Sequence, residues 1–504
     1  MFARTFQWLL IVVLLLLPTA LTVSLLRTQY DSTLTDLVPI WADEVWYWHQ
    51  AKSFSEAGLN SGYYSVTEIP ANADFSHFLA WGMAIPIFYG SIGAVFGMLL
   101  HLIPLVNLVC ITLALSLFIY AVHPNWLQLL AMGALLVTFA PFIIYSSSSL
   151  LPLLQQSIAI GMAAGFVLLL RQREETAQIT RIALALLLIL AAWVRPTWSL
   201  LFVPYVLLQQ PHWTWRNVLA GFALGAAIFL LMTLFYSWTA APFPNFRSEF
   251  LRTLVADPAA ALPLLLQNVQ TNLRLLGEGN LLEVRLRLQI LLITALLLAT
   301  FLLSLWRRKH TKSPGRKWRE PVVLLYMLGA AFVLTVVLYD VKEWRDYRVL
   351  APLLLLVGLA LIAQRRRLLV LTLLATNLLI VPEALNVYRI WTEWHVSEAR
   401  QEEYYAWEAE LQKVLQYEPG ADPWCNTLLH SHRYLFGATS VLLAVDEGIG
   451  LSSPLDQAMS PPFRSRYLLF DESDQERYGV ALNVRQLLIV PDGVLYENLD
   501  ADCE

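Results

Sequence analysis

The sequence predicts an all-α, multi-pass membrane protein that ends in a small α/β domain. Of its 504 residues, 57% are hydrophobic and only 14% are charged, whereas a soluble domain usually carries about 25% charged residues. Apolar runs of about 20 residues, long enough to cross a bilayer, recur between positions 6 and 385. After position 385 the apolar runs become short and acidic residues dominate.

Charge is distributed unevenly along the chain, whose formal net charge is -4. Residues 386–504 contain 8 Lys and Arg against 20 Asp and Glu, a net charge of -12, which leaves +8 for residues 1–385. The basic residues of the longer part lie in short clusters between apolar runs, where they indicate membrane topology. We therefore expect two domains, 1–385 and 386–504, and no nucleic-acid partner.

The apolar runs predict about eleven transmembrane helices, give or take one. They lie near 6–26, 78–100, 102–122, 126–145, 151–170, 181–208, 217–237, 288–306, 321–339, 349–363 and 368–385. The first run lacks the small-residue cleavage site of a signal peptide, so we interpret it as a span.

Two basic loops orient these spans, because Lys and Arg in short loops favour the cytoplasm. Residues 307–319 and 365–367 contain many Lys and Arg and no acid. The N terminus is then cytoplasmic in a plasma (inner) membrane. The segments predicted outside the cytoplasm are 27–77, 238–284, 340–348 and the C-terminal domain.

Two features disagree with this simple count. The 171–181 loop contains three arginines but lies outside on this count. The 181–208 run contains Pro196, which interrupts the hydrogen bonds of a helix. If the helix breaks there, Arg195 lies at an interface rather than in the middle of a span.

Residues 386–504 predict a small α/β domain of about a hundred residues. A helical stretch covers Glu398–Gln416, and Pro491-Asp492-Gly493 is a turn signal. Short apolar runs typical of strands are Ser440–Val445, Tyr467–Phe470 and Gln486–Val490. Cys425 and Cys503 can form a disulfide if this domain lies outside the cell.

The first outside loop, 27–77, is unusual because it is both acidic and aromatic. It surrounds the adjacent pair Asp43-Glu44 with Trp41, Trp46, Tyr47 and Trp48. Such aromatic residues prefer the membrane interface. We expect a surface helix from about Glu44 to Ala57, ended by Gly58, with Asp43 at its N-cap. In a purely structural interpretation, Asp43 caps the helix, Glu44 complements its dipole and the tryptophans anchor it.

Several motifs resemble those of the GT-C superfamily of membrane glycosyltransferases, which includes protein O-mannosyltransferases and aminoarabinose transferases. An apolar first span is followed by an outside loop with Trp-Ala-Asp-Glu at positions 41–44 and by His77 just before the second apolar run. The Trp193–Thr197 and Arg345–Leu353 segments are similar to later motifs of the superfamily. The 238–284 segment lies where the superfamily has its second large outside loop.

The resemblance implies transfer of a sugar from a polyprenyl-phosphate donor to an acceptor hydroxyl, with inversion at the anomeric carbon. The acceptor is a lipid, a glycan or a protein. Asp43 is the expected general base, with Glu44 orienting or replacing it. Arg345 and Arg348, with Arg195 as a third candidate, are expected to bind the donor phosphate. His49 and His77 are weaker candidates for substrate contact.

Other interpretations of these residues stay open. Arg345 and Arg348 alternatively snorkel to the interface or pair with Glu343 or Asp346, and the two histidines alternatively have structural roles. We predict no cofactor and no metal, because Asp43-Glu44 supplies too few ligands, although a divalent cation is not ruled out. Two other functions fit a polytopic protein: a polysaccharide polymerase or ligase, and a non-enzymatic lipid or glycan transporter or flippase.

Overall fold

The computed structural model describes most of the chain and is predominantly helical. The described residues are 2–171, 177–210, 212–242, 253, 256–275, 278–310, 318–337, 344–435, 437–454, 459–478 and 482–503. Some sequence predictions therefore lie outside the described residues, including the greater part of the basic 307–319 loop and Glu343.

Fifteen described helices in the first part of the chain carry the labels used below. They are α1 (Phe2–Tyr30), α2 (Ala42–Ala57), α3 (Ala84–Phe96), α4 (Leu102–Val122), α5 (Trp126–Thr138), α6 (Ala140–Tyr145), α7 (Pro152–Arg171), α8 (Ala177–Val194), α9 (Phe202–Gln209), α10 (Trp215–Thr239), α11 (Pro258–Leu275), α12 (Leu281–His310), α13 (Arg319–Val337), α14 (Ala351–Ala363) and α15 (Arg367–Thr392).

Six of the described helices are long and apolar enough to cross a membrane: α1, α4, α7, α10, α12 and α15. Shorter apolar helices, among them α5 and α14, lie between them. The chain is therefore a multi-pass membrane protein, as its composition predicts. The count of about eleven spans stays a prediction.

The contacts of residues 78–100 show that the prediction of a span there is wrong. Helix α3 has only 13 residues, about 20 Å at 1.5 Å per residue, which is short of the ~30 Å hydrocarbon core. It lies along α2, where the absence of a side chain at Gly90 leaves room for the Ala51 carbonyl. The Trp48 indole donates to the Leu99 carbonyl beyond the end of α3. At the start of the run, the Leu79 amide donates to the Gln50 side chain of α2, so both ends of this run lie at α2.

The 181–208 run instead reverses direction at its centre. Helix α8 ends at Val194, and a 3₁₀ helix begins at Pro196, so the break expected at this proline is confirmed. The Tyr205 hydroxyl donates to the Arg181 carbonyl, which shows that α9 returns to the level where α8 started. Arg195 therefore lies at a turn between two helices.

These two changes move the 171–181 loop to the other face of the helical bundle. The Arg171 guanidinium donates 2.7 Å hydrogen bonds to the carbonyls of Val122 and Ala363. Ala363 directly precedes the basic loop 365–367. The arginine-rich 171–181 loop thus begins at the same face as that basic loop, so the span count that placed the two loops on opposite faces is wrong.

Five strands of the C-terminal part and one strand of the first loop form a six-stranded mixed sheet with strand order β1-β3-β2-β4-β6-β5. The strands are β1 (Ser65–Val66), β2 (Thr427–His430), β3 (Gly450–Ser453), β4 (Tyr467–Asp471), β5 (Val484–Val490) and β6 (Gly493–Asn498), and the helices are α16 (Glu398–Leu411), α17 (Thr439–Leu443) and α18 (Glu472–Tyr478). Strands β1 to β4 pair in parallel, and β6 pairs antiparallel with both β4 and β5.

Most predicted elements of this part are confirmed, with one error. The predicted helix and two strands correspond to α16, β4 and β5. Ser440–Val445 lies on the short helix α17 rather than a strand. Its apolar run is too short for its periodicity to distinguish a buried helix from a buried strand. Cys425 and Cys503 form a disulfide with their Cα atoms 5.6 Å apart.

The first loop and the C-terminal part form one continuous structure. Strand β1 comes from the first loop and pairs with β3. Gly62 and Gly450 meet backbone to backbone, and a Cβ on Gly450 would lie 2.3 Å from the Gly62 carbonyl carbon. The two segments therefore lie on the same face of the helical bundle, which we call the site face.

Candidate active site

Helix α2 begins at Ala42, two residues earlier than predicted. Asp43 and Glu44 therefore both lie in its first turn and have different roles there. Its N-cap is Trp41 rather than Asp43, so the capping role expected for Asp43 is wrong. Glu44 occupies the third helical position, and its Oε2 accepts a 3.2 Å hydrogen bond from the Trp41 amide. This back-bond from a glutamate at the third position is one half of a capping box.

Glu44 is fully buried and surrounded by donors. Its Oε1 accepts hydrogen bonds from the Ser148 hydroxyl at 2.5 Å and the Ser149 amide at 3.0 Å. Its Oε2 lies 2.7 Å from Nε2 of His395, which is also buried. In the structure, Glu44 therefore belongs to a buried hydrogen-bond network. Its expected role in orienting or replacing Asp43 stays a prediction.

Asp43 lies outside this buried network and pairs with Arg348. The guanidinium Nη2 donates to Asp43 Oδ2 at 3.2 Å. Both side chains are partly exposed, at 26% for Asp43 and 32% for Arg348. Burial lowers the pKa of Arg348, but the Asp43 carboxylate outweighs this effect and holds the pKa above its ordinary value. The pair thus unites a proton acceptor and a fixed cation at a solvent-accessible point.

Arg345 and Arg348 lie on the same short 3₁₀ helix, Trp344–Val349. Residues three apart eclipse each other in a 3₁₀ helix, so these two arginines share one side, as their spacing predicts. Both guanidinium carbons lie over the Trp41 ring, at 5.0 Å for Arg345 and 5.6 Å for Arg348. Asp346 and Glu343, the alternative partners considered above, fall outside the described side chains.

A cavity of about 620 Å³ opens beside Arg345. Four tryptophans and two arginines line it: Trp41, Trp344, Trp391, Trp394, Arg345 and Arg400. Arg345 is enclosed by indole rings, because its guanidinium lies 5.6 Å from Trp344 and 5.7 Å from Trp391 in addition to Trp41. Ile390 and Trp394 at the cavity are mostly exposed. Its wall therefore combines a cation, flat aromatic surfaces and an apolar edge.

Tyr47 and Arg195 complete the cluster around Asp43. Tyr47 lies one helical turn after Asp43, is buried, and packs edge to face on Trp81 at 5.0 Å. Burial and the Asp43 carboxylate raise its pKa well above the ordinary value, while Arg348 and Arg195 lower it. Arg195 lines a small cavity with Val349 and Pro352, just after Arg348. Of the three predicted arginines, Arg348 contacts Asp43 directly, Arg345 lies on the same 3₁₀ helix, and Arg195 acts electrostatically on Tyr47 from another loop.

His49 and His77 lie apart from this cluster. His49 is fully buried, with Nδ1 2.5 Å from the Tyr64 hydroxyl and Nε2 3.2 Å from the Val445 carbonyl. Burial, helped by Lys52, lowers its pKa to about 3. His77 is buried and stacks on Tyr63 at 4.7 Å, and burial lowers its pKa as well. In the structure His49 connects the first loop with the C-terminal part, whereas His77 packs within the first loop. Their predicted contact with substrate stays a prediction.

Four residues near the site were missed by the sequence analysis: His395, Trp391, Trp394 and Ser148. The segment Trp391–His395 contains three aromatic or imidazole rings directly after the last span, a composition similar to that around Asp43. That similarity was the available signal. Within the described part of the chain, no group of three or more His, Cys, Asp or Glu side chains is arranged to hold a metal ion.

No protein-family model matches the sequence, and no curated protein matches it either. Among solved structures, ArnT from Cupriavidus metallidurans bound to undecaprenyl phosphate aligns with 12% identity and a TM-score of 0.47, covering 100% of both chains. The apo state of the same ArnT gives 11% identity and a TM-score of 0.45, again over 100% of both chains. The oligosaccharyltransferase of Archaeoglobus fulgidus aligns with 12% identity and a TM-score of 0.49, covering 96% of this chain and 73% of that one.

Proposed function

We propose that the chain is an integral membrane glycosyltransferase of the GT-C type. It transfers a sugar from a polyprenyl-phosphate-linked donor to an acceptor hydroxyl at the site face, outside the cytoplasm. The observation that carries this proposal is the 3.2 Å contact between Asp43 and Arg348, with Arg345 one 3₁₀ turn away. A carboxylate and two guanidinium groups thus lie together at one face of a membrane protein, which supports a general base beside a phosphate-binding site.

The reaction follows from the chemistry of these groups. Asp43 takes the proton of the acceptor hydroxyl as its oxygen forms a bond to the anomeric carbon of the sugar. The bond between that carbon and the phosphate oxygen breaks, and its electron pair leaves with the lipid phosphate. A single displacement of this kind inverts the anomeric centre. The acceptor is a lipid, a glycan or a protein.

Arg348 has enough donors to serve both partners. A guanidinium carries five N–H groups in a fixed fork. Among the described residues, Asp43 is the only carboxylate to which Arg348 donates, and it does so through Nη2. The remaining N–H groups are available for phosphate oxygens. Arg345 extends the same cationic surface toward the cavity, and Arg195 adds positive charge that acts on Tyr47.

The cavity beside Arg345 suits the donor. Indole rings offer flat apolar surfaces with a polar edge, which match both a sugar ring and the first isoprene units of a lipid chain. The exposed Ile390 and Trp394 place an apolar edge where a chain would enter from the bilayer. The Cys425–Cys503 disulfide supports an oxidising compartment for this face, and the basic loop 365–367 lies at the other end of α14 and α15.

The proposal is tested with purified protein in liposomes that contain radiolabelled polyprenyl-phosphate sugars and membrane extract as the source of acceptor. The wild type should release polyprenyl phosphate and label a lipid, glycan or protein fraction, whereas Asp43→Asn should not. Movement of the labelled lipid across the bilayer without release of polyprenyl phosphate would instead identify a flippase and contradict the proposal.

A further inference from the structure

The buried contact between Glu44 and His395 joins three distant segments of the chain. The two residues are 351 positions apart, and both side chains are inaccessible to solvent. Ser148, which also bonds Glu44, comes from the loop between α6 and α7. The His395 carbonyl accepts a 2.9 Å hydrogen bond from the Val38 amide of the first loop. The first loop, this serine loop and the end of the last span therefore meet at one carboxylate.

Hydrogen-bond donors surround the carboxylate of this pair. His395 Nδ1 lies 2.9 Å from the Trp391 carbonyl, which only accepts, so Nδ1 carries a proton. Nε2 faces Glu44 Oε2 at 2.7 Å. Glu44 already accepts from the Ser149, Trp41 and Ile40 amides and the Ser148 hydroxyl. A carboxylate surrounded by donors is ionised, so the negative charge of Glu44 lies against the His395 ring.

The effect on Glu44 agrees with this assignment. Burial alone would raise the pKa of Glu44, but the charge of His395 and the hydrogen bonds from His395, Ser148 and Ile40 outweigh it, so the pKa lies below its ordinary value. Breaking a buried ion pair by removing one partner leaves an uncompensated charge, which is strongly unfavourable. The Glu44–His395 contact therefore fixes the two segments that carry these residues relative to each other.

His395 lies one helical turn after Trp391, which lines the cavity. Trp391 packs edge to face on Trp41 at 4.8 Å and also contacts Arg345. The segment at the end of α15 thus contacts Glu44 through the His395 ring. It contacts Trp41 and Arg345 through the Trp391 ring. Asp43 lies between Trp41 and Glu44 in sequence, so its backbone is fixed on both sides by the same segment.

We propose that His395 is a positioning residue for the transfer reaction: through Glu44 it fixes the first turn of α2 so that Asp43 faces Arg348 and the acceptor. This inference rests on the proposed function and deepens it. Glu44 then links His395 to the first turn of α2 and is not a second base. No acceptor hydroxyl reaches its carboxylate, which is 0% exposed and hydrogen-bonded at both oxygens.

The test compares His395→Gln, Glu44→Gln and the double variant with the wild type in the liposome assay. Glutamine keeps a hydrogen-bonding amide at position 395 but removes the imidazole ring. Each single variant should lower kcat at least tenfold, with the donor KM changed less than about twofold, because the donor phosphate contacts other residues. The double variant should be no slower than the slower single one, since two neutral amides can pair. Thermal unfolding and binding of undecaprenyl phosphate are measured on the same preparations.

Each other outcome overturns the positioning role. Unchanged kcat in both single variants, or losses in the double variant that multiply, would show that the pair does not set the geometry of Asp43. A joint loss of undecaprenyl phosphate binding and thermal stability, or failure of both single variants to assemble, would make the pair a determinant of folding only. A wild type that consumes no donor refutes the proposed function itself and is recognised before any variant is compared.

Discussion

Arg348 donates a 3.2 Å hydrogen bond to Asp43 across 305 positions of the sequence. The contact connects the helix that follows the first span with the short 3₁₀ helix before α14. Trp41 lies beneath both arginines of that 3₁₀ helix, so the carboxylate and the cations are held against one indole ring. This arrangement places a proton acceptor beside groups suited to a departing phosphate.

We predict that the planar guanidinium groups at this point are not replaceable by lysine. Arg345→Lys and Arg348→Lys keep the charge but lose the fork that grips phosphate, and Arg345 also loses its contacts with three indole rings. Binding of undecaprenyl phosphate should weaken about tenfold or more, which corresponds to about 1.4 kcal/mol, and turnover should fall. Fluorescence titration and the transfer assay measure the two effects.

Arg27→Lys is the matched control for these variants, because Arg27 lies at the end of α1 with 56% of its side chain exposed. It should bind and turn over donor like the wild type. Full retention of lipid binding by both Arg345→Lys and Arg348→Lys would remove these residues from the phosphate site and favour simple snorkelling.

The first loop and the C-terminal part should be labelled from the same side of the membrane. Asn60 and Asp492 are exposed, and the segments that carry them are joined through β1 and β3. Cysteines introduced at these positions should react with an impermeant maleimide in intact cells. A cysteine at Arg367, in the basic loop, should react only after permeabilisation. Protection of position 60 or 492 in intact cells would refute this topology.

Acid should destabilise the protein through His49. Burial lowers the pKa of this imidazole from 6.5 to about 3, so it stays neutral in the folded protein while the unfolded chain takes up a proton below pH 6.5. Its contribution to stability is fully present above pH 6.5 and is lost as the pH falls toward 3, by about 1.4 kcal/mol per pH unit. Unfolding in detergent at several pH values measures this slope. His49→Gln should reduce it, and an unchanged slope would show that His49 titrates normally.

The fold was predictable where composition decides the outcome. The spans at α1, α4, α7, α10, α12 and α15 follow from their length and apolar composition. Composition does not say whether an apolar run crosses the bilayer or lies along another helix, and α3 does the latter because Gly90 allows close contact with α2. The arginines of the 171–181 loop were the correct signal, since Arg171 lies near the basic 365–367 loop.

The candidate site was predictable only in its charged residues. Asp43, Arg345 and Arg348 stand out because charges are rare in this chain, and the 3₁₀ helix brings the two arginines to one side as their spacing indicates. The partner of Glu44 was not predictable, because His395 lies in a different segment and meets Glu44 only through tertiary packing. The predicted start of α2 was also wrong. Glu44, and not Asp43, accepts the hydrogen bond from the N-cap amide in its first turn.

Turnover by Asp43→Asn tests the central claim most directly. Asparagine keeps the shape of the side chain but takes up no proton, and general base catalysis typically contributes 10²–10⁴-fold, so the rate should fall by about 100-fold or more. The melting temperature should stay near that of the wild type, because Asp43 is not the N-cap residue and Glu44 accepts the hydrogen bond from the Trp41 amide in the first turn. Asp31→Asn is the control, since Asp31 is 97% exposed and asparagine tolerates its positive φ of 51°. A loss of turnover in Asp43→Asn alone is the predicted result, whereas near-wild-type turnover would contradict the assignment of Asp43 as the base.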